Sequence, residues 1–205
     1  MANSKVVRIT SKTPCIYKLK IELGSKSIKP KIWRLIEVDG RVSLAKLHHF
    51  IQAAFGWSDA HLHEYKIDRV RYGVPDPEFY DDDCKDDRKF TLNQLLSKGD
   101  KFTYLYDFGD HWDHLVTVKD VAIGPDFDMS GGAYVLDGER ACPPEDVGGA
   151  VGYEEMLQLI ENESDSKEAL DIHIWLGGYF DPESFDIRLA NAAISRMLYN
   201  KWGGK

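Results

Sequence analysis

The residues best suited to chemistry lie in one short segment, residues 107–114, with the sequence DFGDHWDH. It contains three carboxylates and two imidazoles around a predicted turn at Gly109-Asp110. A carboxylate beside an imidazole is able to act in general acid–base catalysis or to bind a metal ion. The same residues also have a structural interpretation, because Asp110 suits a turn and His114 can bond a neighbouring backbone group. The segment is therefore a candidate site at the tip of a hairpin.

A second unusual segment, residues 137–149, combines charge with a constrained backbone. Adjacent prolines stiffen it, and the adjacent glycines that follow allow dihedral angles closed to other residues. Arg140 has the planar fork that pairs with a carboxylate, so it either fastens this loop or stays available to a ligand. We expect the loop to close over the hairpin tip and form a polar pocket. The candidate pocket residues are Asp107, Asp110, His114, Arg140, Glu145 and Asp146.

Histidine spacing suggests a different site, a metal centre. His61 and His63 are two residues apart, so on a strand both imidazoles would lie on one face. With His114 and a carboxylate from Asp107 or Asp110, they would form the ligand set of a metal-dependent hydrolase. The sequence does not show that these residues meet, and we assign no metal or cofactor from it. Whether the protein is an enzyme stays open, and a binding module is favoured.

One further pattern resembles a calcium loop. Asp126, Asp128, Ser130 and Asp137 stand at positions 1, 3, 5 and 12 of a twelve-residue loop with glycine at position 6. Position 12 is aspartate rather than the longer glutamate, and the residues before the loop predict a strand instead of a helix. The sequence therefore argues against calcium binding here.

Composition limits the classes of protein to which the chain can belong. It has 205 residues, of which 43% are hydrophobic and 12% aromatic, enough for the core of one domain. Three cysteines are too few for a disulfide scaffold, and no run of residues has the apolar length of a membrane span. We expect a soluble cytoplasmic protein with one domain over residues 1–205 and no membrane partner.

Charge is uneven along the chain. The net charge is −8, which argues against a protein that mainly coats nucleic acid. Residues 1–50 nevertheless carry eleven lysines and arginines against three acidic residues, so this part has a net charge of +8. The basic N-terminal hairpin is thus a candidate nucleic-acid-binding surface, although the acidic remainder would repel a phosphate backbone. Nucleic-acid binding is a second alternative function and is not favoured.

Hydrophobic patterning predicts the elements around these segments. Apolar and charged residues alternate over 17–23, and apolar residues recur over 31–38, which predicts a hairpin of two strands. Ser43 suits a helix N-cap, and the apolar spacing after it predicts an amphipathic helix ending near Gly56. His48 falls on the apolar face of this helix, where a histidine is more typical of a hydrogen-bonded core residue than of a ligand.

The rest of the chain predicts more strands and then helices. Strands are predicted over 61–67, 102–108 and around 115–121, and helices return after residue 152. We predict that the acidic segment 75–89 is a solvated loop and that 124–152 is a long ordered excursion over the surface. Strands followed by helices indicate a single α+β domain. Its mixed or mostly antiparallel sheet would pack on one amphipathic helix, with additional C-terminal helices alongside.

A set of segments spread along the chain forms a recognisable series. They are KIWR (31–34), the helix 44–57 ending in IQAAFGW, HL (61–62), EY (64–65), YDFGD (106–110) with Trp112 and His114, residues 138–149, GYEE (152–155) and FDPESFD (180–186). Together they resemble one known family, the plasmid pRiA4b ORF-3-like proteins. The resemblance covers residues 17–191, nearly the whole chain.

The resemblance implies a family that is widespread in bacteria and archaea and occurs on plasmids, with no particular reaction attached to it. Members are sometimes described as resembling a transposon resolvase, but this chain shows neither the serine and arginine cluster nor the helix-turn-helix of a serine recombinase. The resembling segments include both candidate site regions. We therefore favour a binding or accessory module with a polar pocket, and its ligand or protein partner stays open.

Overall fold

The structure is a computed structural model that describes residues 12–24, 28–75, 83–162 and 166–201. Within these residues the strands are β1 (Cys15–Leu23), β2 (Trp33–Asp39), β3 (His63–Ile67), β4 (Val70–Gly73), β5 (Cys84–Asp86), β6 (Lys101–Tyr106), β7 (Trp112–Ile123) and β8 (Ala133–Glu139). The helices are α1 (Leu44–Phe55), α2 (Leu92–Leu95), α3 (Gly149–Asn162), α4 (Lys167–Trp175) and α5 (Ile187–Tyr199), and a 3₁₀ turn covers Asp87–Lys89.

These strands form one sheet in the order β5–β4–β3–β6–β7–β1–β2–β8. Neighbouring strands are antiparallel except β4 and β5, which run parallel. The predicted α+β class, with a mixed and mostly antiparallel sheet, is confirmed.

The hairpin of β1 and β2 follows the alternation in the sequence. Tyr17, Leu19 and Ile21 are fully buried, while the lysines between them lie on the opposite, wetter face. Leu19 lies opposite Ile36 in the register of the two strands. Burying one aliphatic side chain contributes about 1.5–3 kcal/mol relative to leaving it exposed. A slip of one residue would move this whole set of side chains to the wet face, so the apolar pattern fixes the register.

Helix α1 begins and ends where the sequence predicts. Ser43 Oγ accepts a hydrogen bond from a backbone N–H of the first turn, and Gly56 ends the helix with a left-handed φ of 95°. The apolar face packs on the sheet, where the Tyr65 hydroxyl donates to the Leu44 carbonyl. His48 lies on this buried face, as predicted.

Residues 124–152 are not only the ordered excursion over the surface that the sequence predicts. Strand β8 lies within them and pairs antiparallel with β2, and α3 begins at Gly149. In β8 only Ala133 and Val135 are buried, and glycines and acidic residues surround them. The prediction is wrong here because pairing with β2, rather than a strong local pattern, decides this strand.

The acidic segment after β4 differs from its prediction in the same way. Asp81 and Asp82 lie outside the described residues, but the residues that follow form β5, parallel to β4. Asp87, at the start of the 3₁₀ turn, is fully buried, and its Oδ2 lies 2.8 Å from His63 Nε2. The prediction of a solvated loop is wrong for this part, because a buried histidine partner compensates the desolvation of the carboxylate.

Helix α5 covers the edge strand β8. Asp186 caps the N-terminus of the helix by accepting from the Arg188 backbone N–H. The Asn191 amide accepts from the Val135 N–H at 2.8 Å and donates to the Val135 carbonyl at 2.9 Å. These bonds satisfy backbone groups that an edge strand otherwise exposes.

Arg34 is a buried cation that joins three parts of the fold. Its guanidinium donates to the carbonyls of Trp33 in β2, Ala54 in α1, and Glu139 and Arg140 at the end of β8. Burial lowers the pKa of Arg34 to about 10, so the group is still charged at neutral pH. The carbonyl at the negative end of α1 stabilises this charge. Arg34 thereby fixes the point at which the chain leaves β8.

Replacing Arg34 with methionine is expected to destabilise the protein strongly. Arg34→Met keeps an apolar stem but leaves four carbonyl oxygens without their donor, and each buried unsatisfied group costs about 1–3 kcal/mol. We expect the free energy of unfolding, measured by urea denaturation, to fall by about 3 kcal/mol or more.

Arg188→Met is the matched control, because the Arg188 side chain is 89% exposed and, among the described residues, pairs only with Asp186 at the surface. Loss of an exposed pair costs below about 1 kcal/mol. Equal losses in the two variants would contradict the role assigned to Arg34.

Candidate functional site

The register of β3 against β6 brings His61 next to Asp107. His63 lies opposite Tyr106 in this antiparallel pair, so the residues before β3 lie beside the residues after β6. The Asp107 backbone N–H donates to the Leu62 carbonyl at 2.9 Å and continues the ladder by one bond. As a result, His61 Nε2 and Asp107 Oδ2 are 3.6 Å apart.

Asp107 is fixed by the turn that follows β6. Its φ of 56° is left-handed, and its Oδ1 accepts from the backbone N–H groups of Gly109 at 2.8 Å and Asp110 at 3.3 Å. An aspartate that bonds the backbone two and three residues later is typical of a tight turn. Oδ1 is therefore committed to the turn, while Oδ2 lies on the side of His61.

The loop over residues 140–149 docks against this turn. The Gly148 N–H donates to Asp110 Oδ2 at 3.2 Å. Gly149 has a φ of 68°, and a Cβ at this position would lie 2.6 Å from the Asp110 carbonyl oxygen. Only glycine allows this approach without a shift of the backbone. The hairpin tip and the loop thus meet in space.

The segment after α1 holds the same loop from another side. Trp57 Nε1 donates to the Pro143 carbonyl at 3.0 Å. Glu145 Oε1 accepts from the backbone N–H of Ser58 at 2.8 Å and from the Ser58 hydroxyl at 3.0 Å. Glu145 is therefore held in one place although it belongs to a loop.

The Tyr106 hydroxyl links this loop to the residues before β3. It donates to Glu145 Oε1 at 3.0 Å and accepts from the Ala60 N–H at 3.1 Å. Burial and the adjacent Glu145 carboxylate raise the pKa of Tyr106, so the hydroxyl keeps its proton at physiological pH. Its ring lies edge-on to His61, with the ring centroids 5.9 Å apart. Tyr106 therefore positions both Glu145 and His61.

These contacts assemble four side chains that we call the acidic cluster: His61, Asp107, Glu145 and Asp146. His61 Nε2 lies 3.2 Å from Asp146 Oδ1, 3.6 Å from Asp107 Oδ2 and 3.8 Å from Glu145 Oε2. Nε2 is buried and has no hydrogen-bond partner among the described residues. The donor atoms of His61, Asp107 and Asp146 lie within 4.8 Å of one another.

The acidic cluster is rich in negative charge. In the part of the chain that the structure describes, no lysine or arginine forms an ion pair with its three carboxylates. The Asp107 side chain is 9% exposed and that of Asp146 is 72% exposed, so the cluster reaches from the interior to the surface. Such a group creates a negative potential that attracts cations.

Arg140, one of the predicted pocket residues, lies outside the acidic cluster. It donates from Nε to Glu183 at 2.7 Å and from Nη1 to the Pro30 carbonyl at 2.8 Å. The sequence predicts that Arg140 either fastens the loop or stays available to a ligand, and these bonds correspond to fastening the loop. The partner is a carboxylate shortly before α5, and not one of the acids beside Arg140 in the sequence.

His114, another predicted pocket residue, lies in the core. Its ring contacts Phe55, Trp57 and Tyr104, and Nδ1 lies 3.2 Å from the Tyr104 carbonyl, to which it donates. Burial lowers the pKa of His114 to about 4, so the ring is neutral at physiological pH. His114 thus bonds a backbone group, which is the structural role considered for it from the sequence.

A second group of polar side chains surrounds a cavity of about 240 Å³, which we call the histidine cavity. Its polar lining residues are His48, His49, Asp59, His61, His63, Asp87 and Arg88. Asp59 lies 2.5 Å from His48 Nε2 and 2.7 Å from His49 Nδ1. The rings of His48 and His63 stack with centroids 3.5 Å apart.

The Asp59 carboxylate of the histidine cavity is already paired with His48 and His49. Burial lowers the pKa of His48 to about 4 even though Asp59 is close by. Burial alone would raise the pKa of Asp59, but the hydrogen bonds from His48 and His49 lower it overall. His48 is therefore a neutral ring that donates to an ionised carboxylate, and its Nδ1 accepts from the Tyr104 hydroxyl at 2.7 Å. This is the hydrogen-bonded core residue that the sequence predicts.

The structure does not bring the predicted combination of His61, His63 and His114 into one group. His61 belongs to the acidic cluster, His63 bonds Asp87 and His114 lies in the core. No common cluster of their donor atoms occurs among the described residues. Asp107 does lie beside His61, as one of the two carboxylates considered for the metal centre.

The four residues of the calcium-like pattern do not converge either. Asp128 forms an ion pair with Arg41 and accepts from the Ser130 backbone N–H at 2.7 Å. Asp137 lies in β8, which extends along the sheet instead of wrapping around an ion. Asp126 joins no cluster of potential metal ligands within the described ranges.

Ion pairs within the described residues neutralise part of the positive charge of the basic N-terminal hairpin. The ion pairs are Lys18–Glu37, Lys20–Glu22 and Arg41–Asp39. Arg34 is buried, and Lys5, Arg8 and Lys26 lie outside the described residues. These pairs reduce the positive charge that the hairpin presents to nucleic acid. Among the described helices, none is both long and apolar enough to cross a membrane.

Sequence reasoning missed the residues that position the acidic cluster. Ser58 follows the end of α1 and belongs to no motif, while Tyr106 has the appearance of an ordinary buried strand residue. The one signal for Tyr106 was its place beside Asp107 in the YDFGD segment. His61 was considered for a metal site but not for the pocket, because nothing in the sequence placed it beside the 140–149 loop.

Fold and site together define an α+β protein with one eight-stranded sheet and an acidic cluster between two turns. The chain belongs to the plasmid pRiA4b ORF-3-like family, whose sequence profile matches residues 15–189. The resemblance seen in the sequence is thereby confirmed.

Two relatives illustrate the family. The chain is 32% identical over 194 residues to the uncharacterized protein y4hQ of Sinorhizobium fredii. The aligned region covers 93% of this chain and 95% of that protein. It is also similar to the crystal structure of MM3350, a protein of unknown function from Methanosarcina mazei Go1. That likeness has a TM-score of 0.74 and 32% identity, and it covers 86% of this chain and 97% of the other. Neither description names a reaction.

The two buried neutral histidines predict a loss of stability in mild acid. The pKa values of His48 and His114 are lowered to about 4, compared with about 6.5 in an unfolded chain. Between these values the unfolded chain binds protons that the folded chain does not bind. The free energy of unfolding is therefore expected to fall as the pH drops from about 6.5 to about 4. Urea denaturation at a series of pH values measures this slope.

His114→Phe should make the slope shallower, because one of the two histidines is removed and the ring still fills the aromatic site. The control is His111→Phe at the hairpin tip, where the histidine side chain is 63% exposed. It should keep the slope of the unmodified protein. If the His114→Phe variant kept the full slope, His114 would not contribute to the pH dependence of the free energy of unfolding.

Proposed function

We propose that the protein is a cytoplasmic binding module whose acidic cluster takes a positively charged ligand. One observation carries the proposal. Three carboxylates without a lysine or arginine partner among the described residues converge on a single buried imidazole nitrogen that has no hydrogen bond. A cation placed among them would relieve their mutual repulsion.

The surroundings of the cluster support a binding role, because they hold its members in place before any ligand arrives. Asp107 is fixed by its own turn, and Glu145 is fixed by Ser58 and Tyr106. A preorganised site loses less conformational entropy on binding than a mobile one. Like charges held together lower the stability of a fold, and such an arrangement is typical of functional sites.

The proposed site keeps part of the pocket expected from the sequence. Asp107, Glu145 and Asp146 remain members, and His61 joins them. Asp110 contributes by docking the loop through Gly148. Arg140 and His114 support the fold and have no role in contacting the ligand in this proposal.

The two alternative functions have less support. A hydrolase with His61, His63 and His114 as metal ligands would need their donor atoms in one group. His61 and His63 both line the histidine cavity, but His63 bonds Asp87 and His114 lies in the core. Nucleic-acid binding would need free positive charge, but several cations of the N-terminal hairpin are paired, and the net charge is −8.

Neutralising one carboxylate of the cluster is expected to stabilise the ligand-free protein. Asp146→Asn is isosteric, and asparagine tolerates the left-handed φ of 55° at this position. At pH 8.5, removal of the repulsion should raise Tm by about 1–3 °C. Differential scanning calorimetry of the chelator-treated protein measures this change.

Asp126→Asn is the matched control, because it removes the same charge from an exposed turn where Asp126 has no described ion pair. We expect it to leave Tm within error of the unmodified protein. A lowered Tm in Asp146→Asn, or an equal rise in both variants, would argue against a strained acidic site and thus against the proposed function.

A further inference from the structure

The distances within the acidic cluster are those of ligands around a metal ion. Four ligands bound about 2.1 Å from a tetrahedral zinc ion lie about 3.4 Å from one another. His61 Nε2 lies 3.2 Å from Asp146 Oδ1 and 3.6 Å from Asp107 Oδ2. The three donor atoms lie within 4.8 Å of one another, which leaves space for one ion between them.

The histidine–aspartate contacts of the histidine cavity have a different geometry. His48 and His49 lie 2.5 and 2.7 Å from Asp59, and His63 lies 2.8 Å from Asp87. These are hydrogen-bond distances, in which a proton sits between nitrogen and oxygen. His61 has three carboxylates within 4 Å and forms no such bond to any of them. The distances within the acidic cluster therefore fit a metal ion between the donor atoms better than a proton shared by two of them.

We propose that the ligand of the acidic cluster is a divalent transition-metal ion bound by His61 Nε2, Asp107 Oδ2 and Asp146 Oδ1. The inference rests on the proposed function and names the class of its ligand.

The donor set indicates which ions suit the site. One imidazole nitrogen favours zinc, iron and related ions, and two carboxylate oxygens also suit manganese. Magnesium prefers oxygen ligands and retains its water molecules, so a histidine donor gives it little advantage. Three protein ligands leave coordination positions for water or a further ligand on the side of Asp146, which is largely exposed.

Neighbouring groups orient these donors as the surroundings of metal ligands commonly do. Asp107 Oδ1 is occupied by the N–H groups of Gly109 and Asp110, which turns Oδ2 towards His61. Glu145 Oε2 lies 3.8 Å from His61 Nε2, at the border of the group, and is held there through Tyr106. We assign Glu145 and Tyr106 as positioning residues.

The histidine cavity is the competing location for a metal ion. The donor atoms of His48, His49 and Asp59 also lie within 4.8 Å of one another. An ion there would have to break two short hydrogen bonds to Asp59, and His48 Nδ1 already bonds the Tyr104 hydroxyl. The two locations share no ligand in this assignment, so substitutions distinguish them.

The test is isothermal titration calorimetry of the chelator-treated full chain, once with Zn²⁺ alone and once with Mn²⁺ alone. We expect one ion per chain at the acidic cluster. His61→Ala and Asp146→Asn should each weaken binding by about 100-fold or more, and Tyr106→Phe by about 10-fold. Mg²⁺ should not compete with Zn²⁺ at equal concentration.

His111→Ala is the matched control, because His111 lies on the same hairpin 3.2 Å from Asp113 but joins no cluster of described ligands. It should leave the affinity unchanged. With Cu²⁺ as a spectroscopic probe, electron paramagnetic resonance should show coupling to one nitrogen, and this coupling should disappear in His61→Ala. Circular dichroism of each variant reports whether the fold is retained.

Three results would overturn the inference: no ion binds, Mg²⁺ binds as tightly as Zn²⁺, or binding survives His61→Ala and is lost in His49→Ala. The last result would place the metal in the histidine cavity. If no ion binds but Asp146→Asn still raises Tm, the acidic cluster remains a site for an organic cation, and only the metal assignment fails.

Discussion

The pairing of β3 with β6 is the constraint on which the rest of the site depends. Because His63 lies opposite Tyr106, the two chain segments that continue beyond these strands run side by side. His61 and Asp107 meet for that reason, although 46 positions separate them in the sequence. In an antiparallel ladder a slip of one residue reverses the face of every side chain. The register is set by buried residues of the strands, so the core fixes the site.

The 140–149 loop shows how a fold holds an irregular segment in one shape. Arg34 binds the carbonyls where the loop begins, and Arg140 ties it to Glu183. At its far end Gly149 allows contact with the Asp110 backbone. These anchors offset the repulsion of the acids that the loop brings to the cluster. In the proposed function, the arrangement trades some stability for a site that is formed in advance, a balance common in functional regions.

Histidine–aspartate contacts differ between the histidine cavity and the acidic cluster. In the histidine cavity, carboxylates accept short hydrogen bonds from imidazoles, which compensate part of their desolvation. In the acidic cluster the carboxylates outnumber the imidazole and stand further from it. The difference lies in distance and charge balance rather than in residue type. A sequence motif of histidines and aspartates therefore does not by itself distinguish a structural group from a binding site.

The sequence by itself determined the α+β class, the central hairpin, helix α1 and the family, because strong local periodicity and caps encode them. It also indicated Asp107, Glu145 and Asp146. It missed β8 and the burial of Asp87, since partners far along the chain decide both. Only the tertiary structure showed that His61 lies beside these acids and that His114 and Arg140 bond elsewhere. The physical reason is that contact between distant residues depends on strand register and loop docking, which local pattern does not record.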